Sequence, residues 1–159
     1  MTPISSDAER RTALFAGSFD PFTVGHASVV ERALPLFDRL VIAVGINAEK
    51  ATATAAADRV AAIAGLYAGD GRVEVMSYSG ELTADLARRI GAGWLLRGVR
   101  SVRDFEYERD MADLNRRLSG IETVVLFSLP EHGAVSSSAV REIASYGGDV
   151  APFLPERHS

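Results

Sequence analysis

Five short apolar runs, residues 13–16, 40–44, 73–76, 94–96 and 123–127, alternate with segments of helical period, and that alternation leaves few folds open. Each run is too short for an independent helix, and several are rich in valine, isoleucine or aromatic residues, as strands are. Between them, Val29/Val30/Ala33/Leu34/Phe37, Val60/Ile63/Ala64/Tyr67, Leu82/Leu86/Ile90 and Tyr107/Met111/Leu114/Leu118 recur at steps of three and four, so each segment can lay one apolar stripe on a sheet. A last helix is expected over 137–146, closed by Gly147-Gly148 and followed by a proline-bounded tail. Strict alternation of strand and helix implies parallel strands joined by right-handed crossovers. The expected fold class is therefore α/β: one doubly wound, Rossmann-like domain over 12–159, with a five-stranded parallel sheet flanked by helices. A polar arm over 1–11 precedes it. Ligands of such sheets bind beyond the carboxyl ends of the strands.

A chain of 159 residues, 47% of them hydrophobic, can bury one core without metal or disulfide support. It has no cysteine, which excludes disulfides and thiolate zinc sites. No apolar stretch approaches the roughly 20 residues that span a bilayer, and the opening MTPISSDAERR lacks the apolar core of a signal peptide. A cytoplasmic protein without a membrane partner is expected. The net charge of −4 argues against broad attachment to nucleic acid or anionic lipid, so any anion must be met locally. Sixteen of the seventeen cations are arginine and Lys50 is the only lysine. Chance on an exposed loop explains that, and so does a site that needs a compact ammonium.

The stretch GSFDPFTVGH, residues 17–26, follows the first apolar run directly. Gly17 ends the strand, Pro21 fixes one backbone dihedral, and Gly25 leaves unhindered backbone where a ligand can approach closely. His26 falls on the first turn of a helix, where free amides and the positive dipole end attract phosphate and an imidazole can donate to it. Singly, these residues also suit an ordinary turn with a solvated helix-end histidine. Together they point to a nucleotide.

The motif resembles the first signature of the nucleotidylyltransferase superfamily, whose His/Thr-x-Gly-His element reads here Thr23-Val24-Gly25-His26. RGVRSVRDFEYERDMADLNRRL, residues 97–118, resembles the Arg-Gly-x-Arg, Asp-Phe-Glu-Tyr-Glu and Asn signature of the phosphopantetheine adenylyltransferase family. VSSSAVRE, residues 135–142, resembles that family's serine run before a helix. The resemblance implies transfer of the adenylyl group of ATP to 4'-phosphopantetheine, giving dephospho-coenzyme A and pyrophosphate by direct in-line attack, with no covalent enzyme intermediate. It implies catalytic roles for His26, at the α-phosphate, and for Lys50 and Arg97, at the acceptor phosphate. It implies ATP contacts from Ser18, Phe19, His26, Gly98, Val99, Arg100, Glu108, His132, Gly133, Ala134, Val135, Ser136, Ser137 and Ser138. Acceptor contacts are implied for Ser18, Lys50, Thr83 and Arg97. Mg²⁺ is expected to arrive with ATP and not in a protein cage, and a homohexamer is implied.

Singly, Arg97 also reads as a buried structural ion pair, the serines as helix caps, and Asp104-Phe105-Glu106-Tyr107-Glu108 as a capped, solvated first turn. The chain departs from the family after Lys50, where ATATAAADR replaces an aromatic, a hydroxyl residue and a Glu-Glu-Arg run, keeping only Asp58-Arg59. Relatives tend to continue through a C-terminal helix, whereas this sequence stops at FLPERHS. Two alternatives stand beside this reading: a nucleotidylyltransferase acting on nicotinate mononucleotide, or a non-catalytic flavodoxin-like binding module. The 97–108 stretch speaks against the first, and basic and hydroxyl residues at the strand ends speak against the second.

Overall fold

The computed structural model describes residues 10–47 and 55–156; positions 1–9 of the expected arm, Lys50 and most of the loop after it lie outside those residues. Five strands form one sheet: β1 (Thr12–Gly17), β2 (Arg39–Gly45), β3 (Val73–Tyr78), β4 (Trp94–Val99) and β5 (Glu122–Phe127). Their order is β3-β2-β1-β4-β5, and every neighbouring pair is parallel. Helices α1 (Val24–Ala33), α2 (Ala56–Leu66), α3 (Thr83–Ile90), α4 (Val102–Ser119) and α5 (Ser137–Ser145) complete the chain.

Alternate residues of the strands feed two cores. Phe15, Leu40, Ile42, Val44 and Leu96 meet Val29, Val30 and Ala33 of α1 and Ile63 of α2. Leu14, Ala16, Val41, Ala43 and Leu95 meet Ala84, Leu86 and Ala87 of α3 on the opposite face. Burying a side chain such as Leu40, Ile42 or Leu96 completely contributes about 1.5–3 kcal/mol. These strands read as continuous apolar runs because both faces are covered.

Two helices differ from the periodicity. The apolar steps of the first helical segment continue to Phe37, yet α1 ends at Ala33. Pro35 explains the stop, since it has no N–H for a helical bond and its ring collides with the preceding turn. Phe37 still reaches the core, from outside the helix. The expected sheet-facing stripe of α4 is instead exposed: Tyr107 is 63%, Leu114 50% and Leu118 64% accessible. The buried residue of α4 is Glu108, which binds Arg97 of β4 and thereby sets the rotation of the helix.

The sheet opens where its winding reverses, between β1 and β4. β1 follows β2 in register from Thr12↔Arg39 to Gly17↔Val44, and β4 follows β5 through Val99↔Phe127. β1 and β4, however, pair only at Ala13↔Trp94 and Leu14↔Leu95. Beyond Leu14 the two strands part, leaving a crevice at their carboxyl ends, the location expected for a ligand in a doubly wound sheet.

Candidate active site

The residues along this crevice form two adjoining clefts, of about 310 and 160 Å³, that share Ala16 and Arg97. The larger is bounded by Ser18, Phe19, Thr23, Gly25 and His26 after β1, Gly98 near the end of β4 and Arg100 just after it, and Val135, Ser136, Ser137 and Ser138 before and within α5. The smaller is bounded by Thr83 of α3, Arg97, and Tyr107, Glu108, Met111 and Asn115 of α4, with Thr123 of β5.

His26 is fixed by its own sequence context. Thr23 caps α1, its hydroxyl accepting from the His26 N–H at 3.4 Å, while His26 Nδ1 accepts from the Thr23 N–H at 3.0 Å. This reciprocal pair is a capping box with histidine in the position where Glu or Gln is usual. A ring nitrogen that accepts carries no proton, so the neutral imidazole bears its proton on Nε2 and offers a donor there. Phe22 stacks on the ring with centroids 5.3 Å apart, and Phe19 meets it edge-on at 5.0 Å. Burial, then the charges of Arg97 and Arg100, lower its pKa from 6.5 to about 4. The ring is therefore a neutral donor at pH 7, beside two guanidinium groups that favour an anion.

Arg97 spans the gap between the parted strands. Its Nε and Nη2 donate to Glu108 at 2.8 and 2.7 Å, and Nη1 donates to the Ala16 carbonyl of β1 at 2.7 Å. Burial works against its charge, and the Glu108 hydrogen bonds and carboxylate outweigh that, leaving its pKa above the ordinary arginine value. Arg97 thus forms an ion pair with Glu108, and the same residue lines both clefts.

The loop after β1 is held from behind. Arg59 of α2 donates to the Ser18 carbonyl, Arg141 of α5 to that of Asp20 at 2.6 Å, and Ser137 to that of Pro21 at 2.8 Å. Gly17 leaves room for this packing, since a Cβ there would stand 3.1 Å from the Phe19 ring and push it aside by a few tenths of an ångström. All three serines are engaged: Ser136 caps α5 through the Ala139 N–H, Ser137 holds Pro21, and Ser138 accepts from Arg141 at 3.2 Å.

Most expected nucleotide contacts converge on the larger cleft, but five residues lie elsewhere. Val99 is buried, and its carbonyl is taken by the Ser128 N–H. Glu108 faces the smaller cleft together with Thr83. His132, Gly133 and Ala134 stand outside the lining, because a single helical turn over Pro130–His132 folds that segment back on its own carbonyls. Lys50 is outside the described residues. Sequence reasoning missed Met111, Thr123 and Ser128 as cleft residues. It also missed the loop-holding roles of Arg59 and Arg141. The three- and four-residue steps among Glu108, Met111, Ala112 and Asn115 were the available signal that they share one face of α4.

The cytidylyltransferase-like family model matches residues 14–143. A relative from Porphyromonas gingivalis named phosphopantetheine adenylyltransferase is 55% identical over 148 residues, covering 93% of this chain and 96% of its own. The chain belongs to the phosphopantetheine adenylyltransferase family. Members from Phocaeicola vulgatus and Bacteroides thetaiotaomicron are 52% and 49% identical over 146 residues, each match covering 92% of this chain and 96% of the relative. Among solved structures, one from Vibrio parahaemolyticus described as a nicotinate-nucleotide adenylyltransferase aligns with a TM-score of 0.59 at 16% identity, covering 92% of this chain and 94% of that one. A lipopolysaccharide core biosynthesis protein from Thermoplasma volcanium aligns at 0.56 and 18%, covering 76% and 97%. Both share the fold with this family member. The protein is a nucleotidyltransferase with a Rossmann-like sheet.

Proposed function

We propose that the protein joins the adenylyl group of ATP to 4'-phosphopantetheine, releasing pyrophosphate and forming dephospho-coenzyme A. The observation that carries this reading is a pair of clefts meeting at Arg97, one walled by phosphate-binding features and the other by side chains suited to an amide-bearing arm. In the larger cleft the α1 N-terminus, the serine run and Arg100 would receive the triphosphate. Neutral His26 would donate from Nε2 to the α-phosphate oxygen as charge builds there. In the smaller cleft, Thr123 Oγ1 is buried without a protein partner among the described residues and lies with Asn115 and Thr83, a set that fits amide and hydroxyl groups of a pantetheine arm. Ser18, Arg97 and Lys50 are assigned to the acceptor phosphate by family resemblance. Attack on the α-phosphorus is direct, so positioning and electrostatics supply the rate.

Mg²⁺ is proposed as part of the ATP substrate. Among the described residues no group of three His, Asp or Glu is placed to cage a cation, and the donors lining the cleft suit phosphate oxygens. Self-association into a homohexamer is proposed on the exposed apolar row of α4, Tyr107, Leu114 and Leu118, with Phe127 of β5 at 64% exposure. Action in the cytoplasm accords with substrates of this kind, and among the described residues no helix is long and apolar enough to cross a membrane.

A pyrophosphate-release assay with ATP and either 4'-phosphopantetheine or nicotinate mononucleotide tests the proposal. Release with the first acceptor and not the second is expected. The reverse preference, or no release with either, overturns it.

A further inference from the structure

Arg59 belongs to the Asp58-Arg59 remnant of the family pattern, and none of the phosphate motifs gives it a task. It lies on α2, is 4% exposed, and borders an apolar cavity formed with Phe22, Ile63, Leu66 and Leu154. That cavity shares Phe19 with the nucleotide cleft and none of the cleft's other lining residues, so Phe19 is the partition between them. An arginine there lies behind the loop after β1 and outside the lining of the nucleotide cleft.

Its Nη1 donates to the Ser18 carbonyl. The Ser18–Phe19 peptide is trans, so the Phe19 N–H points away from that carbonyl and from Arg59. Phe19 lines the nucleotide cleft, and among the described residues no protein acceptor takes this N–H. Phe19 has a φ of 48°, in the left-handed region that costs a non-glycine residue on the order of 1–3 kcal/mol. The peptide orientation is thus not one the chain adopts by default, and the guanidinium holds it.

We propose that Arg59 is a positioning residue for adenylyl transfer: by gripping the Ser18 carbonyl it presents the Phe19 N–H to the phosphate oxygen that gains charge in the reaction. The role rests on the adenylyl-transfer reading above, and it gives the ATP contact implied for Phe19 a residue that aims it from outside the cleft.

The test compares the parent with Arg59→Met, which keeps the apolar stem without donors, and Arg59→Lys, which keeps one. In the parent, ATP moves the Phe19 amide proton downfield in an NMR titration. In folded Arg59→Met that movement is lost, and kcat for pyrophosphate release falls by roughly tenfold or more while both KM values stay within about threefold. Arg59→Lys recovers part of each. A parent Phe19 amide unmoved by ATP, or folded Arg59→Met with parent kcat, overturns the proposal. Where Arg59→Met fails to fold, Arg59→Lys decides: reduced kcat at unchanged KM and melting temperature upholds the role, and parent kcat at a lowered melting temperature overturns it. A parent that turns over nicotinate mononucleotide instead overturns the acceptor assignment, while the amide titration still tests Arg59.

Discussion

Replacing His26 by glutamine isolates the protonation state of the imidazole. The native ring, with its pKa lowered to about 4, stays neutral down to about pH 5, whereas the ring in the unfolded chain takes up a proton as pH falls through 6.5. Between those values the unfolded state binds more protons, so stability is greatest above 6.5 and declines as the solution is acidified. A displacement from 6.5 to about 4 amounts to roughly 3 kcal/mol in full, of which about 2 kcal/mol is lost between pH 7 and pH 4.5. Glutamine suits the comparison because it is a usual partner at this position of a capping box and can accept from the Thr23 N–H without titrating. Urea unfolding of both proteins at intervals from pH 7 to pH 4.5 gives two stability curves, and subtracting them removes the carboxylates common to both. The difference should shrink by about 2 kcal/mol on acidification. Parallel curves, or an imidazole NMR titration of the native parent centred near 6.5, would refute the account of a half-buried neutral ring beside Arg97 and Arg100.

Three further outcomes are expected. His26→Ala should lower kcat for pyrophosphate release by roughly a hundred- to a thousandfold, the cost of about 3–4 kcal/mol for one lost oxyanion donor, and a folded variant within tenfold of the parent contradicts the assignment. Glu108→Gln, which removes the charge facing Arg97, should cost about 1–3 kcal/mol in urea unfolding at pH 7, and an unchanged midpoint would show that the pair does not anchor α4. Lys50→Ala should raise KM for 4'-phosphopantetheine more than KM for ATP in steady-state assays, and equal effects on both point to a general charge role.

The centre of the sheet was legible because β1 and β2 are buried on both sides, so runs such as Leu40-Val41-Ile42-Ala43-Val44 stand out against any background. The loop between β1 and α1 was legible through GSFDPFTVGH, since glycine, proline and a capping threonine each leave a local mark. The rotation of α4 was not, because it is decided by a pair eleven residues apart, Arg97 with Glu108, while the apolar spacing of Tyr107, Leu114 and Leu118 suggested the opposite face. Nor could spacing reveal that Arg59 and Arg141, far away in sequence, reach the carbonyls of Ser18 and Asp20. Such contacts depend on how the crossovers return, which no short window of residues encodes.

The strand order also governs when a ribosome has made a working molecule. The first three strands to emerge can zip together by themselves, but β1 then remains a naked edge until Trp94 and Leu95 arrive to cover it. The serines at 136–138 come later still. A message truncated anywhere before them yields a half-built nucleotide pocket, so the newborn polypeptide cannot grip a triphosphate until those serines have been made.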